Sequence, residues 1–93
     1  METTSDIVKG QVVKSRAGRD KGRIFLVVNI LNDKFIEVVD GNLRKIDSPK
    51  KKKIRHLIIY NSVIKDYNER VEKGDKINNA YIRKILDVYK KEI

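Results

Sequence analysis

The chain contains no cysteine and no tryptophan, and only one proline, one methionine and one histidine among 93 residues. Without cysteine, neither a disulfide framework nor a thiolate zinc site can form, and a reducing intracellular compartment is the expected setting. The single imidazole, His56, sits between Arg55 and Leu57 with no paired carboxylates at a recognisable spacing, so neither metal ligation nor general-base chemistry has its usual residues. Ser5, Ser15, Ser48 and Ser62 stand in no nucleophile motif, and the glycines do not form a Gly-Lys-Ser/Thr phosphate loop. No enzyme activity, cofactor, metal or small-molecule substrate is expected. Long apolar runs are absent as well. Nothing approaches the roughly 20 residues of a bilayer span, and residues 1–6 lack the basic and apolar blocks of a signal peptide. These features predict a soluble cytoplasmic protein with no membrane partner.

Acidic residues are scarce beside basic ones: 13 Asp and Glu against 22 Lys and Arg, a net charge of +9. The excess is concentrated in two segments. Lys14, Arg16, Arg19, Lys21 and Arg23 surround the single acid Asp20, for a local charge of +4. Arg44, Lys45, Lys50, Lys51, Lys52, Lys53 and Arg55 surround Asp47, for +6. Together they exceed the charge of the whole chain, so the remainder is slightly acidic. A positive potential localised in this way suits a phosphate backbone.

Hydrophobic periodicity supplies the fold. Residues 7–13, with Lys14 to Arg16 continuing outward, read as a strand that ends at the Gly18–Gly22 turn. Residues 23–30 place Ile24, Leu26, Val28 and Ile30 on one face and Phe25 and Val27 on the other, so this strand is expected to be covered on both sides. Residues 35–39 continue the meander, Asp40-Gly41-Asn42 turns it, and a short strand is predicted over 43–46 before Ser48-Pro49. The lysine run is read as a loop, followed by a last strand over 54–60.

Five short strands with regularly spaced turns predict a small barrel. Beyond Tyr60 the period becomes helical. Asn61 or Ser62 is expected to cap a helix with a Val63, Ile64, Tyr67, Val71 stripe, closed by Gly74. Asn78 or Asn79 is expected to cap a second, with Ile77, Tyr81 or Ile82, Ile85, Leu86, Tyr89 and Ile93 along one face and Lys90-Lys91 at its C-terminal dipole. The expected organisation is a flexible N-terminus (1–6), a barrel (7–60) and a helical extension packed on it (61–93).

Gly10-x-Val12-Val13, Gly18, Lys21-Gly22-Arg23 and the alternating strand from Ile24 to Ile30 resemble a KOW motif, the strand-loop-strand unit of SH3-like barrels in ribosomal and transcription proteins. Val39-Asp40-Gly41 and Arg44 extend the similarity to the eukaryotic and archaeal type of large-subunit ribosomal protein fourteen and its bacterial KOW relatives. Ile24-Phe25-Leu26 departs from the extra glycine of many transcription-factor units, which favours the ribosomal branch. The resemblance covers residues 10–57, about half of the chain. It implies RNA contacts through the loop at residues 16–23 and its neighbours; with the strands and helices read above, the expected fold is α+β, a five-stranded SH3-like barrel followed by two helices.

Each feature has a plainer reading. The 16–23 loop is also what a charged hairpin turn looks like, with Gly18 and Gly22 serving only backbone geometry, as Gly41 is expected to do in the Asp40-Gly41-Asn42 turn. Lys50 to Lys53 is compatible with a solvated loop, a nuclear import signal or attraction to anionic lipid. Phe25, Phe35, Tyr67, Tyr81 and Tyr89 fall at packing positions, which leaves Tyr60 as the one candidate base stacker. The favoured function is therefore non-catalytic binding of structured RNA, ribosomal RNA in particular, by shape and phosphate, with ribosomal proteins as further partners. The alternative is a protein-protein interaction module that recognises an acidic partner. DNA reading is disfavoured because Arg83 and Lys84 are too few for a recognition helix.

Overall fold

The computed structural model describes residues 3–90. Strands β1 (Gln11–Ser15), β2 (Ile24–Ile30), β3 (Phe35–Val39), β4 (Lys50–Lys53) and β5 (Leu57–Val63) precede helices α1 (Lys65–Glu72) and α2 (Asn79–Lys90). The fold is α+β: one five-stranded antiparallel sheet, in the order β4-β3-β2-β1-β5, followed by two C-terminal helices. β1 to β4 form a meander, and the last strand returns to pair with the first. A single 3-10 turn, Ile54–His56, links the two edge strands. No ladder joins those edges among the described residues.

The alternation in β2 organises two cores, one on each face of the sheet. Phe25 and Val27 join Ile7, Val13, Ile36, Val38, Ile54 and Leu57 in a cluster made by the strands and their connections. On the opposite face Ile24, Leu26 and Val28 join Val12 and Val39 beneath the helices, which contribute Tyr67, Ile82 and Leu86. Each fully buried aliphatic side chain contributes about 1.5–3 kcal/mol, and Ile82 and Leu86 are the fully buried anchors of α2 on the sheet, with Tyr81, Ile85 and Tyr89 packed around them. Asn78 caps that helix, its Oδ1 accepting the Tyr81 N–H at 2.8 Å. Asn79 instead reaches sideways and accepts the Ile46 N–H at 2.8 Å. Ile93 and Lys91 lie outside the described residues.

The structure departs from expectation at several places, beginning with β1, which starts at Gln11 and not at residue 7. Residues 43–46 are not a strand. Asp40 Oδ1 accepts the N–H groups of Asn42 (3.0 Å) and Arg44 (2.8 Å), which captures donors that a ladder would need. The fourth strand is the lysine run itself, paired through Val38↔Lys50 to Phe35↔Lys53. Lysine is well tolerated on an edge strand, and its long apolar stem can lie over an aromatic ring while the ammonium stays outside.

The final strand is displaced: residues 54–56 form the 3-10 turn and pairing continues to Val63. Helix α1 consequently starts late, with Ile64 at its N-cap and no side-chain cap from Asn61 or Ser62. Val63 lies in the strand, and Val71 is exposed, so the first helical stripe shrinks to Ile64 and Tyr67. Finally, Thr4 of the N-terminal segment is buried, donating from N–H to the Asp33 carbonyl at 2.9 Å and from Oγ1 to the Asn32 carbonyl at 2.6 Å.

Candidate nucleic-acid interface

The β1–β2 loop is closed by backbone bonds: Gly22 N–H donates to the Ser15 carbonyl at 2.7 Å, and Arg23 N–H to the Asp20 carbonyl at 2.9 Å. Gly22 has φ +88°, a conformation in which a β-branched residue is strained, and a Cβ placed there would meet no atom within 4 Å. The reversal leaves Arg16, Arg19 and Lys21 exposed and turns Asp20 inward, where it is 2% exposed.

Asp20 and Asp40 bring the two basic segments together. Asp20 Oδ2 lies 2.9 Å from Lys52 Nζ and 3.1 Å from Arg44 Nη2. In return, Arg23 Nη1 of the first segment lies 3.0 Å from Asp40 Oδ2, a fully buried carboxylate beside the second. Burial pushes the Asp20 carboxyl up, but hydrogen bonds from Lys52 and Arg44 and their charges outweigh it and hold the group below its usual range. The network is not saturated: Asp20 Oδ1 and Arg44 Nε are buried without a hydrogen-bond partner among the described residues. A third tie, from Arg16 N–H to the His56 carbonyl at 2.9 Å, fixes the start of the loop against the 3-10 turn.

The candidate cations therefore fall into two groups. Arg23, Arg44 and Lys52 are committed to internal ion pairs. Lys14, Arg16, Arg19, Lys21, Lys45, Lys50, Lys51, Lys53 and Arg55 have no carboxylate partner among the described residues, and all but Lys14 and Lys53 are exposed. On the outer face of β4, Lys51 and Lys53 hold their ammonium groups 4.5 and 6.0 Å from the Phe35 ring centre. Lys52 lies on the opposite side, 5.8 Å from the Phe25 ring. Gly18 and Gly41 both adopt φ +76°, but Gly41 lies buried under α2 rather than at the loop tip.

A pocket of about 380 Å³ opens beside the first loop, lined by Arg19, Asp20, Lys21, Gly22, Arg23 and Ile24 together with Lys90 from the end of α2. Lys90 was legible only as a charge at a helix terminus; its convergence on a loop almost seventy residues earlier in the chain required the docked helix. Tyr60, the candidate stacker, is half-buried and packs against Tyr89 with ring centres 6.3 Å apart, so its face is already in use. The surface thus presents cations and backbone without an open aromatic platform among the residues singled out. Such a surface can neutralise phosphates but lacks the usual means of holding bases. Among the described residues, no group of His, Cys, Asp or Glu could hold a metal ion, and no helix is long and apolar enough to cross a membrane.

No protein-family model matches the chain. A comparison with curated proteins finds "Putative ribosome-binding protein YbzG" of Bacillus subtilis (strain 168), 31% identical over 72 residues, which span 77% of this chain and 97% of that protein. The chain belongs to the family of that protein.

Proposed function

We propose that this chain is a non-catalytic RNA-binding protein that associates with the ribosome in the cytoplasm through its joined basic segments. The observation that carries this reading is Asp20. A buried carboxylate in the first basic loop holds Arg44 and Lys52 of the second, which ties together two basic segments distant in sequence. The printed description of the relative as ribosome-binding supports the choice of partner.

The same reading takes the sheet as a curled, SH3-like KOW barrel of residues 7–60 carrying the helices of 61–93 on its outside. Three features support it. The edge strands are linked by one 3-10 turn, an apolar cluster lies on the face away from the helices, and Lys52 of edge strand β4 reaches the β1–β2 loop. In this arrangement Arg16, Arg19, Lys21, Lys45, Lys50, Lys51 and Arg55 meet phosphate oxygens, with Arg23, Arg44 and Lys52 fixing the platform beneath them.

Binding of purified protein to ribosomal RNA, measured across a salt series, tests the mechanism. Neutralising about four to six phosphates predicts that log affinity falls with log salt at a slope of about −3 to −5. A slope near zero would dismiss phosphate recognition. Retention of the same protein partners after exhaustive ribonuclease treatment would instead assign the basic face to an acidic protein.

A further inference from the structure

Lys34 belongs to neither basic segment of the sequence, yet the fold carries it to the far end of the lysine strand. The Ile54 N–H donates to the Lys34 carbonyl at 2.9 Å and fastens the β2–β3 turn to the 3-10 turn. Beside this bond Lys34, Lys53 and Arg55 converge on a pocket of about 110 Å³, lined otherwise by Ile54 alone. At the other end of β3, Asp20 and Asp40 neutralise the cations that meet there. Here no carboxylate pairs with any of the three among the described residues. Like charges gathered without a counter-charge repel and oppose the compact state, and a bound anion relieves that cost.

The pocket's size narrows the choice of anion. Pockets for drug-sized ligands run from about 300 Å³ upwards, so 110 Å³ is too small for a nucleotide yet has room for one tetrahedral oxyanion. Arg55 offers a planar fork for two phosphate oxygens, and the lysines add point charges. The larger pocket around Arg19, Lys21 and Lys90 adjoins the Arg23–Asp40 pair, at the opposite end of β3. Five strand residues lie between Lys34 and Asp40, which puts the two ends about 20 Å apart at 3.2–3.4 Å per residue. The lysines of β4 lie along that interval on the open edge of the sheet.

We propose that Lys34, Lys53 and Arg55 form a second, single-phosphate pocket, and that one RNA backbone is gripped at both pockets as it follows the β4 edge. The inference rests on the RNA reading above and adds to it a place and a direction for the strand.

The test compares the full chain with two charge-matched triple variants, using purified ribosomal RNA as the probe. One combines Lys34→Gln, Lys53→Gln and Arg55→Gln. The other combines Lys65→Gln, Lys76→Gln and Lys84→Gln, cations outside both pockets and exposed on or beside the helices. Loss of one phosphate contact predicts a salt slope shallower by about 0.7–0.9 and binding about 5- to 8-fold weaker at 0.1 M salt, with little change in slope for the control. Equal losses in the two variants would overturn the second pocket and leave RNA binding intact. A wild-type protein whose binding ignores salt would overturn the RNA reading and the pocket with it. Because the Lys53 stem packs on Phe35, Lys34→Gln with Arg55→Gln is measured in parallel. This pair leaves one cation in the pocket and should still make the slope shallower, by up to about 0.7, and an unchanged slope in a folded protein refutes the proposal.

Discussion

Replacing Asp20 by Asn keeps the side chain's shape and removes its charge, and its cost follows from what the carboxylate holds. Two cations lie within 3.1 Å of Oδ2, and their side chains are only 12% (Lys52) and 28% (Arg44) exposed. Breaking a buried ion pair from one side costs about 3–5 kcal/mol because the remaining charge is stranded. Here the cost is smaller, since both cations can swing part-way to water and Oδ1 of the native carboxylate already lacks a partner. About 2–4 kcal/mol is therefore expected. In a chain of this length that lowers the melting temperature by about 10–25 °C.

The pH dependence gives a second check. The folded-state pKa of Asp20 is depressed, so its contribution is complete above the ordinary carboxylate range and is lost as the pH falls through the lower, folded value. Urea unfolding followed by circular dichroism should therefore show a wide gap between Asp20→Asn and wild type at pH 7 that closes in acid. Adding Arg44→Met and Lys52→Met to Asp20→Asn should recover part of the loss, because no stranded charge remains. A loss under about 0.5 kcal/mol at pH 7, the range of ordinary surface changes, would refute the bridging role of Asp20.

Gly41 and Gly18 share φ +76°, but a Cβ at Gly41 would come within 3.1 Å of Ile82 Cβ and Arg83 Cγ and would collide with the Asn79 carbonyl, whereas at Gly18 it meets nothing. Gly18→Ala should accordingly cost only the backbone strain of about 1–2 kcal/mol, and Gly41→Ala about 2–5 kcal/mol, with faster amide exchange in α2; equal costs in denaturant titrations would refute the α2 contact. Burial and the 2.5 Å hydrogen bond to Asp66 push the Tyr81 phenol up to about 12. Its contribution is therefore full below pH 10 and fades as the pH rises towards 12. The stability gap between wild type and Tyr81→Phe should narrow between pH 9 and 11.5 in urea titrations, and a constant gap would show that the clamp between the helices does not depend on that proton.

How much of this was legible in the sequence depended on how local each cause was. The doubly apolar strand from Ile24 to Ile30 announced two covered faces, and the structure places Phe25 and Val27 in one core and Ile24, Leu26 and Val28 in the other. Asn78 as a cap and Gly74 just past α1 were equally local signals. Lys50 to Lys53 was not legible as a strand because four identical polar residues have no alternation; its state is set by pairing with β3 and by the remote Asp20. Residues 43–46 misled in the opposite sense, since the apolar-polar-polar-apolar segment between two turns yielded to the Asp40 carboxylate, which took the donors of Asn42 and Arg44. Lys34 and Lys90 could not be drawn into the candidate interface from sequence, because each reaches its pocket only through tertiary packing.

The two inward aspartates also explain how a chain of +9 gathers its charge in one region and still folds. Counted with the first basic segment Asp20 looks like dilution, and Asp40 lies outside both counts; placed at the junction, the two turn repulsion between segments into attachment. A consequence is that charge and function divide differently among the cations. Neutralising Arg23, Arg44 or Lys52 removes a partner from a buried acid and acts first on stability. Removing Arg19, Lys21 or Lys51 leaves the fold almost untouched and acts on the field that an RNA would meet. A binding measurement alone would merge these groups, since a loosened platform and a missing phosphate contact both weaken affinity. The salt slope separates them, because only the second kind of change alters the number of counterions released.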